Sequence, residues 1–130
     1  MSEPRKPHRV FVVDDERVIA STLAMILCQQ GFDATAFTMP LEALQAAHAS
    51  PPDLLISDVV MPHLSGIDLA MLVQQCCPDC RVLLFSGQAA TANLLEDARV
   101  GGHHYELLAK PVHPQDLLSK IRSLSWGIQP

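Results

Sequence analysis

The stretch VFVVDDE at residues 10–16 joins a continuous run of β-branched and aromatic residues to three acidic residues. Two further runs, LLI at residues 54–56 and VLLF at residues 82–85, are equally apolar. Continuous apolar runs of this length are typical of strands buried on both faces, as in a parallel sheet covered by helices. Weaker strands are expected near residues 33–37 and 105–108.

Helical patterns separate these strands. A first helix ends at Gly31, a second begins at Pro40, and a third covers residues 67–76. A fourth pattern covers residues 89–100, and a fifth begins at Pro114. Five strands that alternate with five helices predict an α/β fold with a doubly wound, five-stranded parallel sheet. The expected strand order is the flavodoxin-like 2-1-3-4-5.

Length and composition fit one globular domain. The chain has 130 residues, of which 48% are hydrophobic and 18% are charged. We expect a flexible N-terminal tail over residues 1–8, the domain over residues 9–124 and a C-terminal tail over residues 125–130. The net charge of −5 makes direct contact with nucleic acid unfavourable. The chain shows no signal peptide and no apolar run long enough to span a bilayer, so we expect a cytoplasmic protein without a membrane partner.

Three of the four cysteines stand close together, at Cys76, Cys77 and Cys80. The Cys-x-x-Cys spacing can indicate a zinc or redox site, but a closed zinc site needs a second pair of ligands. We therefore interpret these residues as reduced thiols at a helix end.

Polar residues with complementary chemistry follow four of the predicted strands: Asp14, Asp15 and Glu16; Ser57 and Asp58; Ser86; and Lys110. The carboxyl ends of parallel strands meet at one edge of a sheet, where ligands bind. Crowded carboxylates favour a hard cation such as Mg²⁺, and a carboxylate can attack a phosphoryl group that a lysine and a hydroxyl help to hold. Taken alone, the acidic residues could simply begin a helix.

Four segments carry a family resemblance: VVDDE at residues 12–16, DVVMPHLSG at residues 58–66, LFSG at residues 84–87 and LAKP at residues 108–111. In this order and spacing they resemble the receiver domain of bacterial response regulators over about residues 9–124. The resemblance implies two-component signalling, in which the domain catalyses only its own phosphorylation and slow dephosphorylation.

The resemblance also implies a role for each site residue. Asp58 would accept a phosphoryl group from a sensor histidine kinase or a histidine phosphotransfer protein. Mg²⁺ would be bound directly by Asp15 and Asp58, through water by Asp14, and by the backbone carbonyl of Val60. Ser86 and Lys110 would hold the phosphoryl oxygens. Val60 and Gln88 would tune hydrolysis, which we expect to be slow.

Strand 5 departs from the family pattern. Receivers usually couple the movement of Ser86 to an aromatic residue three positions before the lysine, and this position is Leu107. Tyr105 lies two residues earlier on the same face of the strand. Either Tyr105 takes the switch role, or the coupling runs without an aromatic rotamer. The output would be read by an unknown downstream protein on the face of the fourth helix, fifth strand and fifth helix, where a homodimer is also conceivable.

Three alternatives stay open at the level of sequence. A phosphatase of the haloacid dehalogenase type shares the aspartate, Mg²⁺ and fold, but it places its nucleophile after the first strand in an Asp-x-Asp pattern. A receiver-like interaction module would work without phosphorylation, although such modules usually lose the aspartate or the lysine. The chain could also be a fragment of a longer regulator rather than a stand-alone receiver.

Overall fold

The computed structural model describes residues 8–87, 96, 99, 102 and 105–124. The strands are β1 (Arg9–Val13), β2 (Asp33–Phe37), β3 (Leu54–Asp58), β4 (Arg81–Ser86) and β5 (Glu106–Ala109). The helices are α1 (Arg17–Gln29), α2 (Pro40–Ala49), α3 (Gly66–Cys76) and α4 (Pro114–Ser123). The helix predicted over residues 89–100 falls almost entirely outside the described residues, so α4 is the last of the five predicted helices. The C-terminal tail and residues 1–7 also fall outside.

The five strands form one parallel sheet in the order β2-β1-β3-β4-β5, which confirms the predicted fold. The register aligns the carboxyl ends of the inner strands: Val13 pairs with Ser57, and Asp58 pairs with Phe85. The residues that follow β1, β3, β4 and β5 therefore meet at one edge of the sheet, as the topology requires.

The sheet separates two apolar clusters, because successive side chains on a strand point to opposite faces. Leu55 and Leu84 belong to the cluster on the side of α2 and α3. Leu54 and Leu83 belong to the cluster on the side of α1 and α4. Each of these fully buried leucines stabilises the fold by roughly 2 kcal/mol through removal of apolar surface from water. The buried central strands give the site a rigid support.

The helix ends follow local sequence chemistry. Gly31 has a φ of 94° after α1, a conformation that glycine adopts without steric cost. Pro40 is the first residue of α2, where its missing N–H is no loss. The Ser65 hydroxyl caps α3 by accepting a hydrogen bond from the Asp68 N–H at 3.1 Å. None of the described helices has the length and apolar character needed to span a membrane.

Candidate functional site

A cleft of about 570 Å³ opens at the carboxyl edge of the sheet. Its lining residues come from the ends of four strands and from the loop after β3: Asp15, Glu16, Asp58, Val60, Met61, Pro62, Ser86, Gly87 and Lys110. The topology therefore brings together the side chains that the sequence predicted at this edge. Met61 and Pro62 extend that set, whereas the predicted Ser57 does not line the cleft.

Three carboxylates form the acidic cluster of the cleft, namely Asp14, Asp15 and Asp58. Each offers an oxygen atom, and these atoms all lie within 4.8 Å of one another. Asp14 is fully buried and Asp58 is 6% exposed, whereas Asp15 is open to solvent. Oxygen ligands at this spacing suit a hard divalent cation. The acidic cluster contains the three aspartates for which the sequence predicted a metal-binding role, and that role stays a prediction.

Asp14 has one satisfied and one unsatisfied oxygen. Its Oδ1 accepts a hydrogen bond from the Glu16 N–H at 2.8 Å, which holds the carboxylate at the start of α1. Its buried Oδ2 has no hydrogen-bond partner, although Lys110 Nζ lies 3.3 Å away as an ion pair. A buried carboxylate oxygen normally has a hydrogen bond, so this atom has a lone pair free for a further ligand.

Lys110 connects the two buried carboxylates. Its Nζ donates a hydrogen bond to Asp58 Oδ2 at 3.2 Å and lies 3.3 Å from Asp14 Oδ2. The ammonium also lies 5.3 Å from the centroid of the Phe85 ring. The backbone of Lys110 is fixed because its N–H donates to the Ser86 carbonyl at 3.2 Å. The Lys110–Pro111 peptide bond is cis.

Burial dominates the electrostatics of these groups. It raises the pKa of both Asp14 and Asp58 above the ordinary value of 3.8, even though Lys110 works in the opposite direction. Burial also works to lower the pKa of Lys110, but its hydrogen bond to Asp58 and the charges of the two carboxylates outweigh this effect and raise it. Burial thus outweighs the attraction of Lys110 at the two carboxylates, whereas the two carboxylates outweigh burial at the lysine.

Two further predicted residues lie at the cleft. Ser86 ends β4 and is 9% exposed, on the strand next to β5. Val60 lies in the loop after β3 with its side chain partly exposed. Gln88, which was predicted to tune hydrolysis together with Val60, lies outside the described residues.

Tyr105 and Leu107 lie on the α3 side of β5, with different surroundings. The Tyr105 hydroxyl donates a hydrogen bond to Gln74 Oε1 at 3.3 Å, and its ring packs against the cluster under α2 and α3. Leu107 is 41% exposed and pairs with Leu84 on β4. Tyr105 therefore lies near the amino end of β5, whereas the cleft lies at the carboxyl end. Which of the two residues takes the switch role stays a prediction.

The sequence did not reveal how tightly the start of α3 packs against β3. A Cβ atom on Gly66 would overlap the Asp58 backbone carbonyl and approach Ser57 Oγ to 2.9 Å. Only glycine allows this approach. The loop between them contains His63 at a φ of 73°, a conformation that non-glycine residues seldom adopt. The only signal was the Ser-Gly step at residues 65–66, which otherwise looks like an ordinary helix start.

The Cys76 and Cys77 thiols contact each other at 3.4 Å, and the two buried thiols also contact backbone carbonyls. The Cys77 thiol contacts the Ala47 carbonyl at 3.6 Å, and the Cys80 thiol contacts the Arg81 carbonyl at 3.3 Å. Burial raises the pKa of Cys77 to about 11 and that of Cys80 to about 12. Among the described residues, the acidic cluster is the group with metal-binding geometry, and the thiols do not form another.

Comparison with known proteins agrees with this geometry. A family model, the response regulator receiver domain, matches residues 10–122. The chain belongs to the response regulator receiver family. As a receiver, it is 32% identical to the transcriptional regulatory protein CreB of Escherichia coli over 115 residues, covering 88% of this chain and 49% of CreB. It is 28% identical to the response regulator receiver protein CpdR of Brucella abortus, covering 89% of this chain and 95% of CpdR.

The receiver also matches solved structures. The chemotaxis protein CheY4 of Vibrio cholerae superposes with a TM-score of 0.81 at 23% identity, covering 92% of this chain and 99% of that one. At this identity the likeness shows the fold alone. The chain spans about half the length of CreB, and similarly half of several other curated relatives that it matches. It is a receiver domain of two-component response regulators.

Proposed function

We propose that this receiver is a signalling switch that is activated by phosphorylation of Asp58. The observation that carries the proposal is the acidic cluster, in which Lys110 forms ion pairs with two of the three carboxylates. Asp58 lines the cleft and accepts a hydrogen bond from Lys110. A nucleophilic carboxylate beside a fixed cation is what transfer to an aspartate requires.

The residues present fit a magnesium ion. Asp14 has a buried oxygen without a hydrogen bond, and oxygen atoms of Asp14, Asp15 and Asp58 all lie within 4.8 Å of one another. We propose that Asp15 and Asp58 hold Mg²⁺ directly, that Asp14 holds it through water, and that the Val60 carbonyl completes the protein ligands. When bound, the ion neutralises charge on the phosphoryl oxygens.

The transfer step uses the chain's own groups as follows. A carboxylate oxygen of Asp58 attacks the phosphorus atom of a phosphohistidine, and an O–P bond forms while the N–P bond breaks. The electron pair of the broken bond stays on the histidine nitrogen, and the product on Asp58 is an acyl phosphate. Lys110 and Ser86 hold phosphoryl oxygens through charge and hydrogen bonding. Val60 and Gln88 would set how fast water removes the phosphoryl group.

The remaining assignments follow from this chemistry. The phosphodonor is a sensor histidine kinase or a histidine phosphotransfer protein, and the receiver turns over no other substrate. Its site of action is the cytoplasm, where such donors present their phosphohistidine. The net charge of −5 disfavours direct contact of the receiver with nucleic acid, so it acts on a downstream protein.

The test is phosphorylation by a small donor. The protein is incubated with acetyl phosphate, with and without Mg²⁺, and its intact mass is recorded. We expect one added phosphoryl group that requires Mg²⁺ and is absent from Asp58→Asn. Asp79→Asn is the matched control, because Asp79 is exposed before β4 at the opposite edge of the sheet. A folded wild-type protein that takes up no phosphoryl group would favour an interaction module that works without phosphorylation.

A further inference from the structure

Ser57 is a buried polar residue that the proposed chemistry does not use. Among the described residues, four polar or charged side chains are buried: Asp14, Ser57, Asp58 and Ser86. Three of them belong to the acidic cluster or line the cleft. Ser57 is fully buried on β3, directly before the phosphoacceptor, and is not in contact with the cleft. A buried hydroxyl needs a hydrogen bond, and the partner of this one indicates its role.

The partner of the Ser57 hydroxyl is the backbone of Asp58. Ser57 Oγ donates a hydrogen bond to the Asp58 carbonyl oxygen at 2.9 Å. Gly66 packs closely against the same carbonyl group, because a Cβ atom at this position would overlap the carbonyl oxygen and would lie 2.9 Å from Ser57 Oγ. The Asp58 carbonyl is therefore enclosed between a hydroxyl and the first residue of α3. We refer to Ser57 and Gly66 as the carbonyl clamp.

The backbone on the far side of this carbonyl is also fixed. The Val59 N–H donates to the Phe85 carbonyl at 3.1 Å, and the Val59 carbonyl accepts from the Gly66 N–H at 2.8 Å. The peptide groups on both sides of Val59 are thus held. These peptides lie between two groups that the proposed metal site uses, namely the Asp58 side chain before them and the Val60 carbonyl after them.

We propose that Ser57 is a positioning residue for phosphoryl transfer. Its hydroxyl holds the Asp58–Val59 peptide in the orientation that directs the Asp58 carboxylate and the Val60 carbonyl toward one cation. This inference rests on the proposed function of Asp58. Removing the hydroxyl takes away one restraint on this peptide, whose N–H stays bonded to the Phe85 carbonyl, and leaves the buried carbonyl oxygen without this donor, which favours displacement of the peptide. Small displacements of a reacting group have large effects on rate.

The test compares Ser57→Ala with the wild-type protein in two assays. The first is the initial rate of phosphorylation by acetyl phosphate at saturating Mg²⁺. The second is an Mg²⁺ titration followed by the amide NMR signals of Val59 and Val60, which needs no phosphorylation. We expect the alanine variant to react about five- to tenfold more slowly and to bind Mg²⁺ more weakly. Ser57→Thr, which keeps a hydroxyl, is expected to recover most of the rate.

A stability control separates positioning from general loosening of the core. Val82→Ala removes buried volume from the same side of the sheet without contacting the cleft. It should lose stability but keep its phosphorylation rate and Mg²⁺ affinity. Equal rates and affinities in Ser57→Ala and the wild-type protein would overturn the inference, as would an equal loss in Val82→Ala. If the wild-type protein takes up no phosphoryl group, the proposed function fails, and the Mg²⁺ titration still decides whether Ser57 positions the ligands.

Discussion

Replacing Gly66 by alanine tests the close packing of α3 on β3 most directly. Two effects of opposite sign compete. Alanine lowers the entropy of the unfolded chain and suits a helix, which would stabilise the protein by about 0.5–1 kcal/mol. Against this, the new Cβ would overlap the Asp58 carbonyl oxygen and come within 2.9 Å of its carbonyl carbon. The sign of the change depends on whether the strand can move away.

The strand is not free to move. β3 pairs with β1 on one side and with β4 on the other, and all five of its residues are buried. Overpacking against such a support costs about 1–3 kcal/mol, and contact with backbone atoms belongs to the upper part of this range. We therefore expect Gly66→Ala to lower the free energy of unfolding by about 2 kcal/mol after the gain from alanine is subtracted.

The assay is urea denaturation at equilibrium, followed by far-ultraviolet circular dichroism. Gly31→Ala is the control, because Gly31 has a positive φ but no neighbouring atom within 4 Å of the added Cβ. It should lose about 1 kcal/mol from backbone strain alone and should be phosphorylated normally. Gly66→Ala should also be phosphorylated more slowly, since the added methyl group overlaps the Asp58 carbonyl and strains the backbone that carries the phosphoacceptor. An unchanged or higher stability of Gly66→Ala would refute the described packing.

Three more predictions concern charge, thiols and strand 5. In magnesium-free buffer, Asp58→Asn should raise the urea midpoint at neutral pH. Burial raises the pKa of Asp58 in the folded protein. The stability that this carboxyl contributes is therefore present below its ordinary pKa and is lost as pH rises through the folded pKa. The difference in urea midpoint between Asp58→Asn and the wild-type protein should narrow as the pH is lowered. Iodoacetamide at mildly alkaline pH should label exposed Cys28 before buried Cys80, because the pKa of Cys80 is about 12. Mass spectrometry of peptides would measure the order of labelling, and faster labelling of Cys80 would contradict the prediction. Tyr105→Phe should cost about 1 kcal/mol through loss of the hydrogen bond to Gln74 and leave the phosphorylation rate unchanged; a slower reaction would argue for a direct part of Tyr105 in the site.

The sequence predicted the sheet well because the central strands are continuous apolar runs, which few other elements of this length contain. The apolar runs at residues 10–13, 54–56 and 82–85 became three central strands, and Gly31 and Pro40 marked helix ends as expected. Once the strand order is known, the meeting of the strand ends at one edge follows from the topology.

Other features depend on contacts that no local pattern contains. Asp14 and Asp15 are identical neighbours directly after β1, yet Asp14 is fully buried and Asp15 is exposed. The carbonyl clamp joins residues 57 and 66 through a loop whose path includes the unusual conformation of His63. Tyr105 was expected in β5 but directly precedes it, because the described strand begins at Glu106.

The sharing of one lysine between two buried carboxylates has a consequence for how such sites evolve. The acidic cluster carries three potential negative charges and Lys110 carries one positive charge, so two negative charges are left, which a divalent cation would balance. A substitution by a neutral residue at any one of these four positions leaves one charge among the other three residues and the cation uncompensated. Substitutions at the four positions should therefore be correlated among descendants, so that a lineage that loses the lysine soon loses a carboxylate as well.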